Sequence, residues 1–177
     1  MQKITVAIAD NNELRRTKYE HYLQSEQGII VLRDGAKNKG EVTVDRRLKP
    51  RTDISEIDNI VATIRRLNPR ILFASMKQCT ESDCALLVSL RCECPDTLVV
   101  MMADASSTPD DQVIQALASG ARGYLDVATD SPQFSKAAHV IDRGETWVPR
   151  KMLDKVMSKL MYWYHGGSLG DVLDTVS

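Results

Sequence analysis

The sequence predicts an α/β domain with a five-stranded parallel sheet covered by helices on both faces. Five short apolar runs recur along the 177 residues, and each is followed by a segment with helical periodicity. The runs lack the alternation of polar and apolar residues that half-exposed strands show, so we expect strands that are buried on both faces. Parallel strands joined by right-handed helical crossovers allow few topologies, and a flavodoxin-like domain is the one we expect.

Each predicted strand is followed by a predicted helix. Asn12 is placed to cap the first helix, and Thr108 precedes Pro109, which we expect at the first helical position of the fourth. Gly120 and Gly144 end the last two helices. The predicted strands are residues 4–9, 29–32, 71–74, 98–103 and 122–127. The predicted helices are residues 13–25, 55–67, 80–90, 109–119 and 132–143.

The chain divides into three predicted parts. Residues 1–147 form the α/β domain, with an insertion at 36–54 that is longer than the roughly two to six residues usual for such connections. This insertion is rich in Lys and Arg, so it is either a solvated loop or a site for an anionic ligand or an acidic partner. Residues 148–165 form an amphipathic helix, and residues 166–177 form a flexible tail.

The amphipathic helix carries apolar residues at helical spacing and lysines on another face. The apolar residues are Met152, Leu153, Val156, Met157, Leu160 and Met161, and the lysines are Lys151, Lys155 and Lys159. The apolar face has two candidate partners, the protein's own domain and a second copy of the chain.

Composition and charge exclude several classes of protein. The chain has 23 Lys and Arg against 24 Asp and Glu, a net charge of −1, so no bulk positive field draws it to nucleic acid. No apolar run reaches the roughly 18 residues that span a bilayer, and the N-terminus begins on a strand pattern rather than a signal peptide. We therefore expect a cytoplasmic protein without membrane contact.

Three segments carry a resemblance to a known family. Residues 116–125 read ALASGARGYL, residues 144–150 read GETWVPR, and residues 6–10 read VAIAD. The chain resembles the receiver domain of bacterial response regulators, in the NarL/FixJ (LuxR-type) subfamily. The resemblance implies a CheY-like fold and a C-terminal helix that links to a helix-turn-helix output domain. The predicted tail is too short to form that domain, so we expect DNA contact only through an output domain that is not in this chain.

The resemblance also implies a phosphorylation pocket, most of whose residues this chain replaces. In the family, two acids hold Mg²⁺, an aspartate accepts phosphate, a hydroxyl follows the phosphate, and a lysine neutralises charge. The matching positions, in that order, hold Asp10, Asn11, Ser75, Met102 and Val127. A hard Mg²⁺ ion would find about one carboxylate there. For this vestigial pocket we therefore predict no metal or other cofactor, no catalytic residue and no aspartyl phosphorylation.

Three further residues suggest specific roles. Tyr124 matches the aromatic residue that turns inward in the family when phosphate arrives, although a half-buried tyrosine is common on a last strand. Cys92 and Cys94 are either a redox pair near a helix end or inert thiols. The four cysteines lack CxxC spacing, and Cys84 and Cys92 would lie about 12 Å apart on one helix, so we expect no four-thiolate zinc site.

The function that these observations predict is regulatory rather than enzymatic. We expect a phosphorylation-independent receiver-like domain of a bacterial transcriptional regulator, which forms a homodimer and binds protein partners in signalling. Two alternatives stay open. One is a stand-alone pseudo-receiver that acts as an adaptor in signal transduction, and the other is a ligand-sensing or redox-sensing domain.

Overall fold

The computed structural model describes residues 3–33, 52–79, 84–104, 106–128 and 133–164, and the strands among them form one parallel sheet. The strands are β1 (Ile4–Ala9), β2 (Ile29–Val31), β3 (Ile71–Ser75), β4 (Leu98–Ala103) and β5 (Gly123–Asp126). Their order in the sheet is β2-β1-β3-β4-β5, with every neighbouring pair parallel. This is the flavodoxin-like order, so the predicted fold class is confirmed.

Helices cover both faces of the sheet, as predicted. They are α1 (Glu13–Gln24), α2 (Thr52–Leu67), α3 (Ala85–Glu93), α4 (Asp110–Ala118), α5 (Phe134–Asp142) and α6 (Arg150–Tyr164). On one face α1 and α5 bury Tyr19 and Phe134, whose ring centroids lie 4.9 Å apart, against Phe73 of β3. The opposite face packs under α2, α3, α4 and the start of α6. Every residue of the central strand β3 is buried, which explains its unbroken apolar run.

Four predicted helix starts differ from the observed ones, and the smallest difference besides that of α4 is at α5, which begins at Phe134 rather than at residue 132. Helix α2 begins at Thr52, so residues 52–54 belong to this helix and not to the predicted insertion. The rest of the predicted insertion lies outside the described residues. Helix α3 begins at Ala85 rather than at residue 80, because Cys84 has a left-handed backbone (φ 44°) that cannot continue a helix. Pro109 is the N-cap residue of α4 and not its first helical residue as predicted, because its ψ of 141° is extended rather than helical.

The chain after α5 covers the edge of β5. The backbone N–H of Tyr124 donates to the carbonyl oxygen of Trp147 at 2.7 Å, which adds one parallel bridge to the sheet edge. A Cβ on Gly123 would lie 2.7 Å from that same oxygen, so only glycine allows this close approach.

Helix α6 follows and corresponds to the predicted amphipathic helix, whereas the predicted tail 166–177 is outside the described residues. In the described part of the chain no helix has the length and apolar character to cross a membrane.

Candidate functional site

The carboxyl edge of the sheet forms a cavity of about 270 Å³. Four of the five predicted pocket residues line it: Asp10 after β1, Ser75 at the end of β3, Met102 in β4 and Val127 after β5. The ends of parallel strands converge at one edge, so this convergence was predictable. The fifth residue, Asn11, is exposed and is not part of the cavity lining.

Asp10 is the one acid retained at the predicted pocket positions, and both of its oxygens bind Arg15. The Nε of Arg15 donates to Oδ2 of Asp10 at 2.6 Å, and Nη2 donates to Oδ1 at 2.7 Å. The backbone N–H of Asn12 also donates to Oδ1, at 2.9 Å. The Asp10 side chain is 1% exposed, so this is a two-pronged ion pair on a buried carboxylate. The hydrogen bond to Asp10 is the main cause that raises the pKa of Arg15.

Helix α1 places Arg15 over this carboxylate. Asn12 caps the helix by accepting a hydrogen bond from the Arg15 backbone N–H at 3.0 Å, which fixes the first helical turn directly after Asp10. Arg15 was not among the predicted pocket residues. The sequence feature that could have identified it is an arginine in the first turn of the helix that follows an acidic residue at a strand end.

The remaining predicted positions give the cavity little charge. Ser75 is buried, and its Oγ accepts a hydrogen bond from the backbone N–H of Lys77 at 3.3 Å. Met102 is buried and Val127 is half-buried, so a thioether and an isopropyl group occupy the places of the hydroxyl and the lysine. These three residues offer the cavity one neutral hydroxyl and apolar surface, and Lys77 also lines it.

A second carboxylate, Asp104, lies at the mouth of the cavity and is exposed. Its Oδ1 accepts hydrogen bonds from the hydroxyl of Ser106 at 2.5 Å and from the Ser106 backbone N–H at 2.9 Å. These hydrogen bonds, with the hydroxyl first, lower the pKa of Asp104. The carboxylate therefore stabilises the turn before α4.

The described donors do not fit a divalent cation. Within residues 3–33, 52–79, 84–104, 106–128 and 133–164, no group of three or more His, Cys, Asp or Glu side chains could hold a metal ion. Mg²⁺ needs several oxygen ligands. Asp10 is bound by Arg15, and the neighbouring Met102 and Val127 offer no oxygen.

Tyr124 lies away from this cavity, in the core beneath α4. The residue is 3% exposed. Burial is the main cause that raises the pKa of Tyr124 to about 12, and the negative charges of Asp126, Asp104 and Asp110 add to it. The ring of Tyr124 therefore points into the core. The resemblance implies the same inward position for the matching aromatic residue of the family when phosphate is bound.

Cys92 and Cys94 also lie outside the cavity, near the end of α3. Cys92 is exposed, whereas Cys94 is buried. Burial raises the pKa of the Cys94 thiol, which lowers the fraction of reactive thiolate. The redox interpretation predicted for this pair gains no support from that environment.

Comparison with known proteins identifies the fold. No protein-family profile matches the chain, and no curated protein matches it. A LuxR-family two-component response regulator from Aurantimonas sp. SI85-9A1 superposes with a TM-score of 0.67 at 12% identity, over 90% of this chain and 99% of that one. The isolated receiver domain of RcsB from Salmonella enterica serovar Typhimurium, in its apo form, gives 0.63 at 12% identity, over 88% and 99%.

A third similar structure is a LuxR-family DNA-binding response regulator from Silicibacter pomeroyi. It has a TM-score of 0.58 at 19% identity, and the match covers 84% of this chain and 98% of that one. The structural neighbours are thus LuxR- and NarL-type response regulators and isolated receiver domains. The chain has the receiver fold that the sequence resemblance implied.

Proposed function

We propose that this chain is a receiver-like regulatory domain whose conformation does not depend on aspartyl phosphorylation. It would serve a bacterial transcriptional regulator in the cytoplasm, and it is not an enzyme. The receiver fold supports the regulatory role. The observation that carries phosphorylation independence is the ion pair between Asp10 and Arg15, which occupies both oxygens of the one retained acid.

The predicted pocket positions at the carboxyl edge of the sheet lack the charges that phosphoryl transfer needs. Transfer of a phosphoryl group to a carboxylate requires cations that neutralise the developing negative charge. Removal of one charge-stabilising group typically raises the activation free energy by about 3 kcal/mol. Here Ser75 replaces the acceptor, Val127 replaces the lysine, and the arginine binds Asp10 instead of leaving it to a metal. A signal would therefore enter through protein abundance, a protein partner or a small ligand in the cavity.

In such a regulator, the receiver-like domain would bring together two copies of the chain and bind protein partners in signalling. We propose that the chain forms a homodimer, and that it contacts DNA only through a separate output domain. A two-fold arrangement of receivers would then set the spacing of two DNA half-sites, as symmetric regulators require.

The test combines a phosphate mimic with a phosphate donor. The purified chain is incubated with beryllofluoride and Mg²⁺, and a parallel sample with acetyl phosphate, while intact mass and light scattering are recorded. We expect no phosphoryl adduct and no change of oligomeric state in either sample. The Asp10→Asn variant, which keeps an oxygen acceptor for Arg15, is the matched control and should behave identically.

The opposite result would be clear. A phosphoryl adduct, or a Mg²⁺-dependent change with beryllofluoride that Asp10→Asn abolishes, would show a working acceptor and overturn the proposal.

A further inference from the structure

Helix α6 presents an apolar stripe on its outer side. Leu153 is 43% exposed, Met157 56%, Met161 58% and Tyr164 88%. These residues share one side of the helix with Arg150, because they are three or four positions apart. We call Arg150, Leu153, Met157, Met161 and Tyr164 the outer stripe.

The inner side of α6 is already bound to the domain. Met152 is buried in the core beneath α4, and Val156 packs against the same cluster. Lys155 pairs with Asp110, and Lys159 pairs with Asp111 at 3.4 Å, so both lysines face the start of α4. These contacts fix the rotation of α6, and the outer stripe therefore has a defined direction away from the domain.

The outer stripe has a palindromic spacing. Successive members are separated by three, four, four and three positions, since they stand at 150, 153, 157, 161 and 164. Met157 is the centre. A two-fold axis through this residue would set Leu153 of one copy against Met161 of the other, and Arg150 against Tyr164. A symmetric dimer requires a surface that is complementary to itself in this way.

The basic residues at the N-terminal end of α6 favour the antiparallel arrangement. The exposed Arg150 and Lys151 lie at the N-terminal end of the helix, whereas Tyr164 is at the other end. Antiparallel helices place the guanidinium of Arg150 near a tyrosine ring, a favourable contact between a cation and a π-system. Parallel helices would instead place basic residues beside each other.

We propose that the outer stripe of α6 binds the same stripe of a second copy of this chain, in an antiparallel pair centred on Met157. This inference rests on the homodimer in the proposed function and assigns its interface. Two 15-residue helices paired along this stripe would bury a total on the order of 1,000 Å², which is the low end for specific interfaces. We therefore expect a reversible dimer that dissociates on dilution.

The first experiment measures dimerisation by sedimentation velocity over a range of protein concentration. The Met157→Lys variant places two like charges on the two-fold axis, and lysine is a good helix former, so the fold is retained. We expect it to weaken the dimer at least tenfold. Val88→Lys on α3 and Leu14→Lys on α1 also replace exposed apolar residues, and both should dimerise like the unmodified chain.

The other outcomes distinguish failure of the homodimer from failure of the α6 interface. A monomeric unmodified chain at all concentrations would refute both the homodimer and this interface, while the phosphorylation test would be unaffected. An unmodified chain and a Met157→Lys variant that dimerise equally would refute the interface alone. Loss of the dimer only in Leu14→Lys or Val88→Lys would move the interface to that helix.

A second experiment tests the direction of the helices. In a Cys92→Ser background, which removes a native thiol that is exposed, single cysteines are introduced as Leu153→Cys and Met161→Cys. An antiparallel pair predicts disulfide-linked dimers when the two variants are mixed and oxidised, with little cross-linking in either variant alone. Efficient self-cross-linking of Leu153→Cys would indicate parallel helices and overturn the proposed arrangement.

Discussion

At the scale of single residues, Asp10 shows how one neighbour changes what a carboxylate can do. Its position at a strand end would suit a metal ligand, yet Arg15 donates to both of its oxygens. The pair is an internal substitute for a bound cation, because it neutralises a carboxylate whose side chain is 1% exposed. Replacing both partners of such a buried ion pair by apolar groups is often neutral for stability, whereas removing one partner is strongly destabilising because it leaves the other charge buried and uncompensated.

The first prediction follows from that asymmetry. Arg15→Ala should lower the free energy of unfolding by about 2–3 kcal/mol, because it leaves the Asp10 carboxylate buried without its cation. The double variant Asp10→Asn with Arg15→Ala should recover part of this loss, since no buried charge remains. Urea denaturation of the four chains gives the coupling free energy.

The matched control is Arg16→Ala. Arg16 lies 3.8 Å from Glu20 on the same helix and is more exposed, so its loss should change stability by less than about 0.5 kcal/mol. Equal effects at Arg15 and Arg16 would show that the ion pair with Asp10 contributes little.

Tyr124 gives a prediction about pH. Its pKa is about 12 in the folded chain against an ordinary value of 10.0, so the neutral phenol is favoured by folding. The stability from this residue is fully present below pH 10 and is lost as the pH rises towards 12. Between these values the free energy of unfolding should fall by about 2–3 kcal/mol more in the unmodified chain than in Tyr124→Phe.

Urea denaturation at intervals from pH 8 to about pH 12 measures this difference. The phenylalanine variant keeps the ring in the core and lacks the ionising hydroxyl. Parallel loss of stability in the two chains would mean that Tyr124 ionises as easily when folded as when unfolded.

The sequence predicted the positions of the pocket residues better than their contacts. Asp10, Ser75, Met102 and Val127 converge because they follow or end parallel strands, and strand ends are readable from apolar runs. Arg15 was not predicted, because the direction of a long side chain depends on its rotamer and on the exact start of α1. Helix starts are set by caps and single backbone angles, as Cys84 shows at α3.

At the scale of elements, α6 shows that adjacent residues of an amphipathic helix have different tasks. The apolar spacing predicted the helix, whereas only the structure divides that apolar surface into an inner side and the outer stripe. Met152 is 6% exposed and Leu153 is 43% exposed. Sequence periodicity could not make this division, because both sides carry methionine and a branched aliphatic residue.

The third prediction compares these two neighbours. Met152→Ala should lower the free energy of unfolding by about 2–3 kcal/mol, because it removes a side chain from the core beneath α4. Leu153→Ala should change it by less than about 0.5 kcal/mol when measured on the monomer, since its side chain is largely outside the core. Thermal or urea denaturation at low protein concentration separates the two. A similar loss in both variants would indicate that α6 is rotated relative to the structure described.

At the scale of the whole molecule, the fold and the pocket chemistry are separable. The two apolar clusters that hold the sheet to its helices are centred on residues such as Phe73, Leu72 and Phe134. The charged groups at the carboxyl edge lie at one margin of these clusters. A receiver fold can therefore persist while the residues that would bind metal and phosphate are replaced, since replacement leaves most of the buried apolar area unchanged.

The fourth prediction tests that separation by rebuilding the pocket. A chain with Asn11→Asp, Ser75→Asp, Met102→Thr and Val127→Lys carries the residue types that the family uses, and it should still fold. We expect it to bind Mg²⁺ weakly, because Arg15 continues to occupy the Asp10 oxygens. Adding Arg15→Gln should raise the Mg²⁺ affinity by about tenfold, which corresponds to ~1.4 kcal/mol.

Calorimetric titration of Mg²⁺ into both rebuilt chains measures this difference, and mass spectrometry after acetyl phosphate shows whether Asp at position 75 becomes an acceptor. Circular dichroism confirms that each chain is folded. Equal Mg²⁺ affinities with and without Arg15→Gln would mean that the arginine does not compete for Asp10. The replaced residues alone would then explain phosphorylation independence, and the arginine's role would be confined to the stability of the buried carboxylate.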